Sequence, residues 1–165
     1  MNKPESIPPK ILSREELVKA VARWRLLNKT IAFTNGCFDI IHAGHIASLS
    51  NAAREATILI VGLNSDASTN RLKGEGRPVN NEQSRALVMA SLAIVDAVTL
   101  FEEDTPLELI TAILPDVIVK GGDYTIDQIA GANEVIANGG RVVINPILEG
   151  FSTTNIINKV QNLKI

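Results

Sequence analysis

The sequence predicts an α/β protein, a Rossmann-like doubly wound parallel sheet of about five strands, near residues 31, 58, 97, 117 and 142. Three observations predict it. Residues 57–64 (TILIVGLN) form a nearly continuous apolar run, the pattern of a strand covered on both faces. Candidate strands alternate with amphipathic helices along the chain, which implies right-handed crossovers. Residues 33–45 (FTNGCFDIIHAGH) read as a strand end, a glycine turn and a helix start.

Size and charge narrow the class. At 165 residues the chain suits one domain, residues 13–165, behind a tether of residues 1–12. A chain of that length buries roughly 70% of its unfolded surface and needs no disulfide or metal staple. Net charge is −2, and the pI is about 5.7. That argues against a nucleic-acid surface, which shows a basic bias. Cys37 is the single cysteine and has no partner for an internal disulfide, as expected in a reducing compartment. No apolar h-region opens the chain, and no apolar run approaches the ~20 residues that cross a bilayer. The expectation is a soluble cytoplasmic protein with no membrane partner.

In chain order, Pro4, Pro8 and Pro9 exclude a regular helix from the tether. Ser13 and Glu16 form a capping box for a helix over 13–27, with Leu17, Ala20, Val21 and Trp24 on its apolar stripe. Strand 30–35 leads into helix 44–55, whose buried stripe is Ile46, Leu49, Ala52 and Ala53. Strand 57–64 ends in the polar turn Asn64-Ser65-Asp66, and residues 71–80 read as a loop. Asn80 or Asn81 caps a helix to about Leu92, with Ala86, Leu87, Met89 and Ala90 inward. After strand 97–101, Thr105 as N-cap, Pro106 and Glu108 open a helix that ends near Leu114. Strand 117–120, helix 131–138, strand 142–144 and helix 153–163 complete the chain.

The candidate site centres on His42 and His45, the chain's two histidines. Three positions apart, they share a helix face. A strand, a glycine turn and a helix N-terminus together make a phosphate cradle, because free N–H groups and the helix dipole point at the anion. Gly36 and Gly44 let another group approach the backbone. Two alternatives stand beside this: polar helix-start histidines with no ligand, or a zinc site. Against zinc, no carboxylate or cysteine lies at typical ligand spacing. The other strand ends carry Asn64-Ser65-Asp66, Glu102-Glu103-Asp104, Gly121-Gly122-Asp123 and Glu149-Gly150. A doubly wound sheet gathers such ends along one edge, where ligands bind. Lys73 and Arg77 lie in the 71–80 segment, either a solvated basic loop or a shaped lid.

Six ordered segments carry a resemblance. They are Asn35-Gly36-Cys37-Phe38-Asp39 with His42-Ala43-Gly44-His45, Leu63-Asn64-Ser65-Asp66, Leu72-Lys73-Gly74 with Arg77-Pro78-Val79, Glu102 to Leu107, Val119 to Tyr124, and Glu149-Gly150-Phe151-Ser152-Thr153-Thr154. Over about residues 14–162 the chain resembles the cytidylyltransferase-like nucleotidyltransferase superfamily, with its HxGH motif. Within that superfamily it is most similar to the bacterial heptose 1-phosphate adenylyltransferases, which occur alone or as half of a bifunctional kinase/adenylyltransferase.

The resemblance implies direct transfer of AMP from ATP to a sugar 1-phosphate, D-glycero-β-D-manno-heptose 1-phosphate, for lipopolysaccharide or another surface glycan. It implies catalytic roles for His42, His45 and Lys73. Thr34, Asn35, Gly36, Cys37, Phe38, Gly44, Lys120, Gly121, Asp123, Ser152, Thr153 and Thr154 would bind the nucleotide. Asp39, Asn64, Asp66 and Arg77 would contact the sugar phosphate, although Asp39 could equally fix its turn. Mg²⁺ would be carried by the triphosphate, with no protein ligand. A thiolate role for Cys37 is disfavoured, since in-line transfer needs none. Positions that hold cations in cytidylyltransferases hold Ile147 or Leu148, and Ile157, here; Lys120 would supply one of those charges. The resemblance also implies a homodimer, built through helix 13–27 and the helix near 105–113, and a separate heptose kinase. The alternatives are a cytidylyltransferase for a small alcohol phosphate of the glycerol 3-phosphate type and a non-catalytic nucleotide-binding module. ATP and CTP are not distinguished by the residues themselves, because loop backbone groups read the base.

Overall fold

The structure, a computed structural model, describes residues 4–146, 148 and 150–163. The expectations that fall on Met1 to Lys3, Ile147 and Glu149 lie outside the described residues. Five parallel strands form one sheet: β1 (Ile31–Gly36), β2 (Ile58–Asn64), β3 (Ala97–Phe101), β4 (Val117–Gly121) and β5 (Arg141–Asn145), in the order β3-β2-β1-β4-β5. The order reverses at β1, so a crevice opens between the C-terminal ends of β1 and β4.

Alternation along β1 assigns the two faces. Ile31 and Phe33 point to one core, with Leu17 and Val21 of α1 (Arg14–Leu26), Leu109, Ile110 and Ile113 of α5 (Leu107–Ile113), and Val135 of α6 (Ala132–Ala137). Ala32 points to the other, with Leu49 and Ala52 of α2 (Ala43–Ala53) and Ala86, Met89 and Ala90 of α4 (Glu82–Ser91). Each of these side chains is almost fully buried. At about 1.5–3 kcal/mol per large apolar side chain, the two layers supply the main drive to fold. Two elements complete the chain, α3 (Asp66–Lys73) after β2 and α7 (Thr153–Gln161) after β5. Among the described residues no helix is long and apolar enough to cross a membrane.

The Ser13–Glu16 capping box forms, with the Ser13 amide donating to Glu16 Oε2 at 2.8 Å. Several expectations need correction. Residues 71–73 are the end of α3, not a loop; Ser65 caps that helix by accepting from the Ser68 amide at 3.1 Å. Of the two caps expected for α4, Asn81 is the one that forms. Leu87 is 48% exposed, and the inward position beside it belongs to Arg85. Ile46 lies at the rim of α2 rather than in its buried stripe. Helix α5 begins at Leu107 with Pro106 at its N-cap, so Thr105 caps nothing. The Ile110 amide donates to Pro106 O at 2.9 Å, which makes Pro106 the first carbonyl of the helix and starts it one residue later than a Thr105 cap would.

Residues 4–12 are docked. Two short 3₁₀ turns, Pro4–Ser6 and Pro8–Lys10, lead to Ile11, which bridges Val98 in parallel. The Leu12 amide donates to Val98 O at 2.9 Å, and Thr99 Oγ1 donates to Leu12 O at 2.6 Å.

Candidate active site

A cavity of about 800 Å³ opens at the C-terminal ends of the strands. Its floor is the turn after β1. Thr34, Asn35, Gly36, Cys37 and Phe38 line it, and the chain then reaches His42, the N-cap of α2. The amides of His45 and Ile46 donate to His42 O at 2.9 and 3.2 Å. That first helical turn stacks the two imidazoles, with centroids 3.8 Å apart and planes 20° from parallel. The edge of Phe38 meets His45 at 5.3 Å. A Cβ on Gly44 would lie 3.1 Å from the His42 ring and 2.9 Å from Phe151 Cβ, so a side chain there would displace one of them.

Both histidines titrate low. Burial pushes His45 down to about 4, and the neighbouring His42 adds to the effect. Burial also lowers His42. The Nδ1 atoms of both rings are buried with no hydrogen-bond partner. Two neutral imidazoles with unmet polar atoms face a cavity, and such groups call for a ligand.

Two buried ions hold the turn from beneath. Asp39, nearly inaccessible, accepts from the Val79 and Asn80 amides at 2.9 Å and from Arg77 Nε at 2.8 Å. Burial works to raise its carboxyl, but these donors outweigh burial and hold it below the usual range. Arg85, with a fully buried side chain, donates to Cys37 O at 2.6 Å, Asn80 O at 3.0 Å and Asp66 Oδ1 at 2.7 Å. Asp39 and Arg77 both touch the cavity and are paired with each other through Arg77 Nε. Asp66 is bound to Arg85 and lies outside the lining.

Lys120 stands opposite on β4. Its Nζ donates to Asn35 Oδ1 at 3.1 Å and sits 5.6 Å from the centre of the Tyr124 ring. Burial lowers its pKa and nearby Lys73 adds to that, against an opposing pull from Cys37. Gly121 passes close to α2; a Cβ there would lie 3.3 Å from Ser48 Oγ. Asp123 is exposed and outside the lining, where Tyr124 takes its place. Asn64 and Lys73 line the β2 side. Asn64 is oriented by its own bond to Ser68 Oγ at 3.0 Å.

Helix α7 closes the cavity. Ser152 is its N-cap, and Thr153 Oγ1 donates to Ile40 O at 3.4 Å, tying this helix to the β1–α2 turn. Thr154 joins them in the lining. Three hydroxyl residues at a helix N-terminus therefore line the same cavity as the histidine pair, a setting suited to anionic oxygens.

Sequence reasoning missed three groups. Asp104, Thr105 and Pro106 line the cavity from the end of β3, although this segment was visible as a strand end. Gln128, Ile129 and Ala130 line it from the β4–α6 connection, which carries no motif. Arg85 organises the floor, and its only signal was a charge at an inward helical position.

Comparison with known proteins agrees with this geometry. The family described as cytidylyltransferase-like matches residues 33–159. The bifunctional protein HldE of Mesorhizobium japonicum is 54% identical over 151 residues, 92% of this chain. That of Klebsiella pneumoniae is 55% identical over the same share. The chain spans only 30% and 32% of those relatives' lengths. A crystal structure of the lipopolysaccharide core biosynthesis protein from Thermoplasma volcanium superposes with a TM-score of 0.60 at 29% identity, covering 73% of this chain and 97% of that one. Pantoate-beta-alanine ligase from Francisella tularensis shares the fold alone, with a TM-score of 0.56 at 14% identity over 93% of this chain and 78% of that one. With a parallel sheet, a paired-histidine turn and a family match over most of its length, the chain belongs to the cytidylyltransferase-like family and is a nucleotidyltransferase.

Proposed function

We propose that the chain transfers AMP from ATP to D-glycero-β-D-manno-heptose 1-phosphate, giving ADP-heptose and pyrophosphate. The observation that carries this reading is one cavity lined both by the stacked His42–His45 pair and by Ser152, Thr153 and Thr154 at the start of α7. The identity to the HldE proteins supports the heptose branch, and the description of the Thermoplasma protein supports a surface-glycan product.

In this reading an oxygen of the sugar phosphate attacks the α-phosphorus in line. The new O–P bond forms as the bond to the bridging oxygen breaks, and pyrophosphate leaves with that electron pair. Positioning and charge stabilisation dominate such a reaction. His42 and His45 donate to phosphate oxygens as charge builds, and the β1–α2 turn offers its amides. The α7 hydroxyls hold the β and γ phosphates. Lys120 contributes a cation at the turn, and Lys73 reaches the incoming phosphate. Beside the histidines the donors are imidazole, hydroxyl and amide, which suit phosphate oxygens rather than a hard cation. Asp39 and Asp104, which also line the cavity, are already paired with Arg77 and Arg71. Mg²⁺ is therefore proposed to ride on the triphosphate, where it neutralises charge.

The test is pyrophosphate release from ATP, Mg²⁺ and the heptose 1-phosphate by folded protein. Release is expected; its absence ends the reading. Substituting CTP distinguishes a cytidylyltransferase, and nucleotide binding without turnover on any sugar phosphate would leave a binding module. A cytoplasmic homodimer supplied by a separate kinase is part of the same proposal. Light scattering at working concentration checks the dimer, and a monomer rejects it.

A further inference from the structure

Phe151 joins the two halves of the site. It precedes the Ser152 cap of α7, and its ring lies along that of His42, with centroids 6.1 Å apart and planes 22° from parallel. His42 also stacks on His45, with centroids 3.8 Å apart, and His45 meets Phe38 edge-to-face at 5.3 Å. Four rings are thus linked by successive contacts, Phe151–His42–His45–Phe38. The fit is tight at Gly44, where a Cβ would come 2.9 Å from Phe151 Cβ.

A functional histidine is usually aimed by a hydrogen bond to its second ring nitrogen. Here Nδ1 of each histidine is buried without such a partner. Besides a contact of the His42 ring with its own backbone, stacking is what remains to set the plane of that ring. Phe151 is itself 44% exposed, more open than a residue kept for core burial. We propose that Phe151 is a positioning residue: its ring holds the His42 imidazole in the orientation that meets the nucleotide phosphates, so that the late hydroxyl motif and the histidine pair move as one unit. The kinetic part rests on the adenylyl-transfer reading; the ring contact does not.

The test uses Phe151→Leu and Phe151→Tyr in the full chain, with melting curves to confirm folding. In ¹H–¹³C spectra of the two histidines, the leucine variant should remove the ring-current shift at His42 and leave His45 much less affected. In the pyrophosphate assay its kcat should fall on the order of tenfold to a hundredfold with KM for ATP little changed. The tyrosine variant should restore both. Unmoved His42 signals in the leucine variant overturn the contact. An unchanged kcat, or a rise in KM alone, overturns the positioning role, the latter by making Phe151 a direct nucleotide contact. If the parent protein releases no pyrophosphate, the adenylyltransferase reading fails and the spectra alone decide the contact.

Discussion

At the residue scale, His45 combines burial, a stacked neighbour and an unmet ring nitrogen. Replacing it with alanine should lower turnover by about a hundredfold or more, the usual cost of losing a donor to a developing charge. Melting should change little, because His45 makes no hydrogen bond through Nδ1. A pH effect follows from its titration. Its folded pKa of about 4 lies below its ordinary 6.5, so the unfolded chain binds the proton more readily. The contribution of His45 to stability is complete above pH 6.5 and is lost as pH falls through 4. Melting temperatures across that range should drop less in His45→Gln than in the parent protein. Added ATP should raise the imidazole pKa, since phosphate charge favours the imidazolium. With two histidines in the chain, their NMR titration reports this site alone.

At the scale of elements, the segment between α3 and α4 is fastened to the β1–α2 turn by Asp39 and Arg85. Asp39→Ala would strip two amides and one guanidinium of their acceptor. A loss of about 3 kcal/mol is expected from leaving buried donors and a charge unpaired. Urea denaturation measures it, and a loss near zero would show that the segment stands without the carboxylate. This use of Asp39 was half legible, since the sequence offered turn-fixing beside substrate contact. The pairing of Arg85 with Asp66 was not, because nothing local marks a charge that will be satisfied from another element. Helix α3 was hidden for a related reason. Asp66 to Lys73 is polar with one large apolar side chain, Leu72, so it carries no periodic stripe. Its Ser65 cap was the available signal.

At the scale of the whole molecule, all five strands were legible from apolar runs and the turn chemistry after them. Residue pattern alone does not contain their spatial order, since a strand such as β4 carries no mark of pairing with β1 rather than β3. That order brings Lys120 to Asn35, a contact spanning 85 positions, and so completes the site. The order also leaves β3 at one edge of the sheet, with residues 11 and 12 lying along it. Bare edges invite another chain to add a strand. Residues 4–12 therefore cover part of that edge, and a guard against self-association in the wrong register is the expected consequence. A version shortened to begin at Ser13 should keep its site and the cap of α1 yet lose Leu12 from Val98 and Thr99. It should precipitate on warming or concentration sooner than the full chain, as static light scattering would record. Equal solubility of the two would assign the guard to some other part of the molecule.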